Sequence, residues 1–237
     1  MFTHALLLLR LAVPTATDPE VTVVYDSAGV VEVPVEVRAQ IQATATEVAG
    51  AVRTLLPGLT DRIKVTIQTI DRDLSSVGGA AGRADAPGEV VVMLSATYPG
   101  GLDAAVRDGL ATVLYHEFHH LVRGWTIQEN RFGPGIPIAA VNEGLAGVFA
   151  DTYSGVSHAR FDYPDNVEEW LDELLALPLD ADYNEWMNDH PDGRIAVGYR
   201  TGRYVVHQAM RHSGMSILEL TAVPPEEILA MARNGKR

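Results

Sequence analysis

The sequence predicts an α+β protein in which a small mixed β-sheet is followed by a mainly helical half. Segments with the two-residue alternation or the β-branched content of strands crowd the first 95 of the 237 residues. Apolar side chains at helical spacing dominate the remainder. Because no linker of distinct composition divides the chain, we expect one domain over residues 1–237, with a β-rich subdomain at 1–100 and a helical subdomain at 101–237.

Composition and charge exclude some classes of function. The apolar content of 47% and the charged content of 21% are typical of a globular protein. A formal net charge of -13 disfavours binding to nucleic-acid phosphates. The chain has no Cys, so disulfides and thiolate chemistry are excluded, and a metal ion would be held by His, Asp, Glu or water. The oligomeric state is not determined by these features.

The first 17 residues contain a short apolar run that is similar to the core of a signal peptide. No basic residue precedes Leu6–Leu9, and Arg10 interrupts the run, so we expect an edge strand or a docked arm rather than an export signal. The run is too short to cross a bilayer, and we expect no membrane span elsewhere. A cytoplasmic protein is therefore favoured over a secreted one, although the absence of Cys is compatible with both.

The β-rich part has three predicted strands around one helix. Val21–Asp26 and Glu89–Ser95 are short β-branched runs, and Arg62–Ile70 alternates with a period of two. Val35–Leu56 has apolar residues at helical spacing and ends at a Pro-Gly pair, which predicts a long helix. The glycine-rich stretch Ser75–Gly88 lacks the spacing of a phosphate-binding loop, so we expect a flexible loop.

Five helices are predicted in the second half. The first should run from Ala104 to Arg123, with Asp103 as its N-cap and Gly124 as its stop. Asp180–Gly193 is predicted to be an acidic loop. The other predicted helices are Ile138–Gly155, Asp165–Leu177, Val197–His212 and Pro224–Ala232.

Three histidines and a glutamate lie within five residues of the apolar stretch LATVLYHEFHHLVRG. His116, Glu117 and His120 fit the pattern H-E-x-x-H on a helix. Residues four apart share one helical face, so His116 and His120 can place imidazole nitrogens about 2.0–2.1 Å from one zinc ion. Glu117 lies about 100° round the helix, where it can act as a general base towards a water molecule. His119 lies off this face and is expected to be a bystander; the alternative to a metal site is a helix whose histidines line a solvated groove.

A catalytic zinc site usually has a third protein ligand, and we predict that Glu143 is this ligand. It lies on the next predicted helix, where it interrupts an apolar surface. The alternative is a partly exposed carboxylate stabilised by the helix dipole. His158 and Asp151 are further candidates, although Asp151 lies about 12 Å along the helix axis from Glu143. Gly144 and Gly147 would let this helix approach its neighbour closely.

The order HEFHH and then NEGLA is similar to the gluzincin zinc peptidases, and more closely resembles the YjaZ-like family of predicted zinc-dependent proteases. The resemblance rests on the segments LYHEFHHLVRG, VNEGLAGVFAD, DYNEW and GYRTGRYVV. It implies a zincin-like fold with one zinc ion held by His116, His120 and Glu143. It also implies Glu117 as the base and Tyr199 as a cleft residue that stabilises the oxyanion.

The chain departs from thermolysin-like enzymes at two points. The gap between His120 and Glu143 is a few residues longer, and Gly147 stands where those enzymes have a carboxylate that orients a zinc histidine. The group that replaces this carboxylate cannot be assigned from the sequence.

The function we predict is a zinc-dependent peptidase that acts on a peptide or protein substrate through a metal-activated water. Glu117 is the general base, and Tyr199 is the first choice of oxyanion donor. His207 is the second choice, and Arg200 and Arg203 either bind a substrate carboxylate or are solvated. Two alternatives are a non-catalytic zinc-binding or regulatory module and a zinc hydrolase of a non-peptide amide. The intact Glu117 favours an enzyme over a retired site.

The sequence also suggests how a peptide could bind. If Glu89–Ser95 has an exposed edge, an extended peptide can pair with it over the metal. The stretch Ser75–Gly88 would then act as a mobile flap.

Overall fold

The computed structural model of the chain describes residues 19–234 and shows an α+β fold with a small mixed sheet. The sheet has four strands, β1 (Glu20–Tyr25), β2 (Arg62–Ile70), β3 (Ala80–Ala86) and β4 (Glu89–Ser95), in the order β1-β2-β4-β3. Strands β1, β2 and β4 are parallel, and β3 is antiparallel to β4. The prediction for residues 1–17 lies outside the described residues.

Helices cover one side of the sheet and make up most of the chain beyond it. No helix within residues 19–234 is both long and apolar enough to span a bilayer. The helices are α1 (Val35–Leu55), α2 (Gly101–Ala105), α3 (Ala111–Arg123), α4 (Ile136–Ser154), α5 (Val167–Leu175), α6 (Tyr183–Met187), α7 (Val197–Ser213), α8 (Ile217–Leu220) and α9 (Pro225–Asn234).

The larger of two apolar clusters among the described residues joins the sheet to the helices. Fully buried side chains from α1 and the strands, such as Ile41 and Val92, belong to the same cluster as Leu114 on α3 and Phe149 on α4. Helix α3 packs against both α1 and β3. Removing this apolar surface from water stabilises the packing of α3 on the sheet, at roughly 25 cal/mol per Å².

The prediction that the glycine-rich stretch Ser75–Gly88 is a flexible loop is wrong, because the stretch forms regular secondary structure. Ser75–Val77 is one 3-10 turn, and Ala80–Ala86 is the edge strand β3. Gly78 and Gly79 adopt positive φ angles of 73° and 82° between the two. Strand β3 lacks the β-branched residues that usually indicate a strand in a sequence. Small side chains are required there because α3 packs closely on β3.

The predicted edge strand Glu89–Ser95 is central in the sheet, so the hypothesis that a peptide pairs with it is wrong. On one side β4 is paired with β2, and on the other it is paired with β3. The edge nearest to α3 belongs to β3 instead.

The predicted long helix before Gly124 is continuous but begins earlier and is not regular throughout. Its first residue is Gly101, so Gly100 is the N-cap and Asp103 lies within the first turn. Between α2 and α3 the chain makes one π-helical turn at Val106–Leu110. Such turns are rare in proteins, and those that occur are often near functional sites.

The acidic stretch Asp180–Gly193 is another correction, since it contains α6. Asp182 caps this short helix, with its carboxylate accepting a hydrogen bond from the Glu185 N–H at 2.9 Å. The sequence signal was hidden because the helix has only five residues and no apolar periodicity.

Helices α4 and α7 cross with their backbones in contact. A Cβ atom placed on Gly144 would clash with the backbone of Gly202, and one placed on Gly202 would clash with the carbonyl of Ala140. The close neighbour of α4 at Gly144 is therefore α7, whereas the sequence suggested the helix that shares the metal. This crossing brings the cleft-lining face of α7 next to Glu143.

We expect Gly202→Ala to lower the free energy of unfolding by about 1–3 kcal/mol, because overpacking a tight contact forces the backbones apart. Thermal and denaturant unfolding would measure the change. Gly58→Ala is the matched control, since its Cβ would meet only Val122 Cγ1, at 3.7 Å. Equal stability of the two variants would contradict the close crossing.

Candidate metal centre

Helix α3 presents His116, Glu117 and His120 from its middle towards the cleft side of the protein. Glu117 and His120 are buried, and His116 is partly exposed. The helix ends at Gly124, whose φ of 67° is left-handed, as the sequence predicted for its stop. Two imidazoles four residues apart therefore lie on one face of a rigid element.

Helix α4 brings Glu143 to the same point. The His116 and His120 Nε2 atoms are 2.9 Å apart, and Glu143 Oε2 lies 3.0 Å from the first and 3.2 Å from the second. These three side chains form the one group within residues 19–234 whose donor atoms could hold a metal ion. We call this group the His-His-Glu cluster.

The donor set of the cluster fits zinc. Ligand atoms that surround one zinc ion tetrahedrally at 2.0–2.1 Å lie about 3.3–3.4 Å from one another. The observed separations of 2.9–3.2 Å would need to widen only slightly. Nitrogen and carboxylate donors are the ligands that zinc takes in catalytic sites. Two imidazole nitrogens and a carboxylate oxygen that converge in a largely buried site require a shared ion or proton, because a buried polar group needs a partner.

Glu143 is held as a carboxylate. Burial acts to raise its pKa, but the nearby His120 and hydrogen bonds from both histidines hold the pKa well below its ordinary value. Its second oxygen, Oε1, accepts a hydrogen bond from the indole Nε1–H of Trp125 at 3.0 Å. Trp125 was not predicted as a site residue, and its position directly after the helix stop Gly124 was the available signal.

Glu117 packs against the edge strand β3. A Cβ on Gly82 would lie 2.7 Å from Glu117 Oε1, so only glycine at this position of β3 lets the carboxylate sit so close. The other oxygen, Oε2, is buried without a hydrogen-bond partner among the described residues. Burial raises the pKa of Glu117 to about 8, with His116 opposing this shift. A bound cation beside it would favour the ionised form.

His119 points away from the cluster, into the protein. Its Nε2 lies 3.0 Å from Thr221 Oγ1, and burial holds its pKa well below the ordinary value. One turn along, Arg123 donates to the Thr221 carbonyl at 2.6 Å and to Asn142 Oδ1 at 3.0 Å. His119 and Arg123 therefore fasten α3 to the chain after α8, and Arg123 also to the residue before Glu143.

A cleft of about 600 Å³ opens beside His116 and Glu117. Its walls come from the edge strand, α3, α4, α6 and α7. Besides His116 and Glu117, the lining residues include Ala80, Ala81, Gly82, Asp151, His158, Tyr199 and Arg203.

Tyr199 lies at the start of α7 and lines the cleft. Burial, together with the nearby charges of Glu143 and Glu117, raises its pKa well above the ordinary value, so its phenol keeps its proton. Tyr183 of α6, which was not predicted as a site residue, lies close enough to Tyr199 to add to this shift in its pKa.

The other candidate ligands lie elsewhere in the cleft. Asp151 is engaged by Arg203, which donates from both terminal nitrogens to its carboxylate. His158 lines the same wall, with its pKa lowered by burial. The Arg203 guanidinium lies against Gly147, where a Cβ would be 3.0 Å from Nε. An Arg–Asp ion pair thus occupies the space beside the glycine that departs from the thermolysin-like pattern.

Two further predicted residues are committed to other contacts. His207 Nδ1 lies 3.3 Å from the Tyr163 hydroxyl, and His207 is not among the residues that line the cleft. Arg200 donates to the carbonyl of Arg160 at 2.9 Å. Neither faces the His-His-Glu cluster through a described contact.

The chain belongs to a family described as "Predicted Zn-dependent protease (DUF2268)", whose model matches residues 42–230. The match covers both the sheet beyond β1 and every residue of the cluster. The family points to a hydrolase with peptide substrates and to zinc as the metal. No curated protein and no solved structure matches the chain.

We expect His120→Gln to weaken zinc binding by more than about 100-fold, beyond the 10- to 100-fold loss typical of a residue that only supports a ligand. Competition with a chelating indicator measures the affinity, and elemental analysis measures the retained zinc.

His119→Gln is the matched control on the adjacent residue. It should retain zinc and lower the melting temperature, because His119 contacts Thr221 rather than the cluster. If the two variants lose zinc equally, the assignment of His119 as a structural residue is wrong.

Proposed function

We propose that the protein is a zinc-dependent peptidase of gluzincin type with a zincin-like fold, as in the YjaZ-like family. In this proposal His116, His120 and Glu143 hold one zinc ion. The observation that carries it is the convergence of three donor atoms within 3.2 Å of one another on two crossing helices. The family match supports zinc and peptide hydrolysis, and the cleft provides room for a substrate.

A zinc ion at the cluster would supply a Lewis acid that polarises a carbonyl group and lowers the pKa of water. Glu117 is the proposed general base. Its Oε2 has no hydrogen-bond partner among the described residues, and both Glu117 and His116 line the cleft. The carboxylate would take a proton from the attacking water and pass it to the leaving amine.

Tyr199 is the proposed donor to the oxyanion. Its raised pKa keeps the phenol protonated, and only a protonated phenol can donate a hydrogen bond to developing negative charge. Its position in the cleft, on the helix that crosses α4 beside Glu143, supports this role.

A peptide could bind along the part of the outer edge of β3 that precedes Ala84. Gly79 accepts from Ser95 of β4, whereas Ala84 accepts from Ile127 on the outer side. Because hydrogen-bonding direction alternates along a strand, the backbone groups of Ala80 and Gly82 face outwards. Both residues line the cleft. These backbone groups have no partner within residues 19–234 and lie next to Glu117, so they are suited to align an extended substrate.

We expect Glu117→Gln to lower peptide hydrolysis by about 10²- to 10⁴-fold, because the amide cannot accept the proton. Zinc affinity should stay close to that of the wild type, since Glu117 is not one of the three donors. Cleavage of a quenched-fluorescent peptide library, with zinc content measured in parallel, gives both values.

Equal hydrolysis by wild type and Glu117→Gln would show that Glu117 is not the base. A zinc-loaded wild type that hydrolyses no peptide would favour the non-catalytic zinc module. Hydrolysis restricted to small amides would favour the non-peptide amide hydrolase.

Tyr199→Phe should lower kcat by about 10²- to 10³-fold, as expected for the loss of one oxyanion donor, with a smaller effect on KM. Tyr204→Phe is the control on the same helix, because its hydroxyl donates to Glu168 at 2.6 Å and lies outside the cleft lining. A Tyr199→Phe enzyme as active as Tyr204→Phe would remove Tyr199 from the mechanism.

A further inference from the structure

Trp125 is fixed by the end of the helix that carries the two histidines. Its backbone N–H donates to the carbonyl of His120 at 3.0 Å, and it forms an isolated β-bridge with Asn130. Gly124, which lies between the end of α3 and Trp125, turns the chain in the left-handed conformation. The Arg131 side chain packs where a Cβ on Gly124 would be. The indole therefore has a defined position relative to His120.

The indole of Trp125 reaches across to the third residue of the His-His-Glu cluster. Its Nε1–H donates to Glu143 Oε1 at 3.0 Å, while Oε2 of the same carboxylate lies 3.0 and 3.2 Å from the two histidine nitrogens. An indole N–H can only donate, so it stabilises the ionised carboxylate and cannot itself bind a metal. Hydrogen bonds to a charged acceptor are the stronger kind.

Because the Glu143 carboxylate is buried, water cannot easily replace the indole as its hydrogen-bond donor. Glu143 is only 6% exposed, so its carboxylate has little access to water. The Trp125 ring packs against a small apolar cluster that includes Ala139, Ala140 and Trp186. If both Glu143 oxygens turned towards one ion, the indole N–H would lose its acceptor within this cluster, which is unfavourable for a buried donor.

We propose that Trp125 is a positioning residue that holds Glu143 as a one-oxygen ligand. The inference rests on the proposed metal role of the His-His-Glu cluster and deepens it. With Oε1 engaged by the indole, the chain offers one nitrogen from each histidine and one oxygen. The remaining coordination position is left to a ligand from outside the chain. Helix α3 and its cap thus supply two ligands and also orient the third.

A purely structural tryptophan would behave differently. If the ring only filled the apolar cluster, phenylalanine would replace it with a change in stability alone. If the N–H sets the carboxylate, phenylalanine should change the metal site itself. Metal affinity and metal spectroscopy separate these cases without any measurement of peptide hydrolysis.

The test compares Trp125→Phe with Trp186→Phe. Trp186 packs in the same cluster, with its ring against His190, so it controls for the loss of an indole. We expect Trp125→Phe to weaken zinc binding by about 10- to 100-fold, the range for groups that orient a ligand. With Co²⁺ in place of zinc, the visible absorption of wild type and Trp186→Phe should match, and that of Trp125→Phe should weaken as Glu143 binds through both oxygens.

A second measurement on folded wild-type protein covers the case in which Trp125→Phe does not fold. The chain has 3 Trp, so an indole ¹H–¹⁵N spectrum contains few signals. The Trp125 signal should exchange slowly with water, move on addition of zinc, and move again in Glu143→Gln.

Two results would overturn the inference. One is a Trp125→Phe protein with the zinc affinity and Co²⁺ spectrum of the wild type. The other is a Trp125 indole signal that responds neither to zinc nor to Glu143→Gln. A zinc-binding wild type without peptidase activity would instead contradict the proposed function and leave the role of Trp125 standing.

Discussion

Three donor atoms within 3.2 Å of one another, in a largely buried site, are the constraint on which the rest of the structure depends. Two imidazole nitrogens and a carboxylate oxygen do not pack together without a shared positive charge or proton. Helix α3 supplies His116 and His120 through its own periodicity, and α4 must cross it at the level of Glu143. Three features hold α3 and α4 in this arrangement. They are the sheet beneath α3, the glycines between helices, and the buried side chains of His119 and Arg123 that fasten α3.

Close approach is achieved with glycine at the points where a side chain would keep elements apart. Gly82 lets the edge strand lie against Glu117, and the Gly144–Gly202 contact lets α7 cross α4 directly beside the third donor. Gly124 turns the chain so that Trp125 lies over Glu143. Gly82, Gly144 and Gly202 lie inside a strand or a helix, where glycine costs roughly 0.5–1 kcal/mol of stability relative to alanine, and each allows a short distance at the cleft. Such local costs are expected where a fold is arranged around a site.

Much of this arrangement could be predicted from the sequence, because its strongest signals are local. The strands Arg62–Ile70 and Glu89–Ser95 match their predicted bounds, and the alternation or β-branched content that predicts them is a property of a few adjacent residues. The edge strand Ala80–Ala86 was not predicted, because its small residues are required by the close packing of α3, which is distant in sequence. The hydrogen bond from Trp125 to Glu143 and the Arg203–Asp151 pair were missed for the same reason. Glu143 could be predicted because a zinc site with two histidines on one helix usually has a third protein ligand.

We propose that one zinc ion lies between His116, His120 and Glu143. X-ray absorption at the zinc edge of the loaded protein can test this, because imidazole ligands give a distinctive scattering pattern. We expect one zinc per chain, with a nitrogen and oxygen shell at about 2.0–2.1 Å that contains two imidazoles. This pattern should fall to one imidazole when His116 is replaced. A zinc environment with no imidazole contribution, or one unchanged by that replacement, would rule out this site.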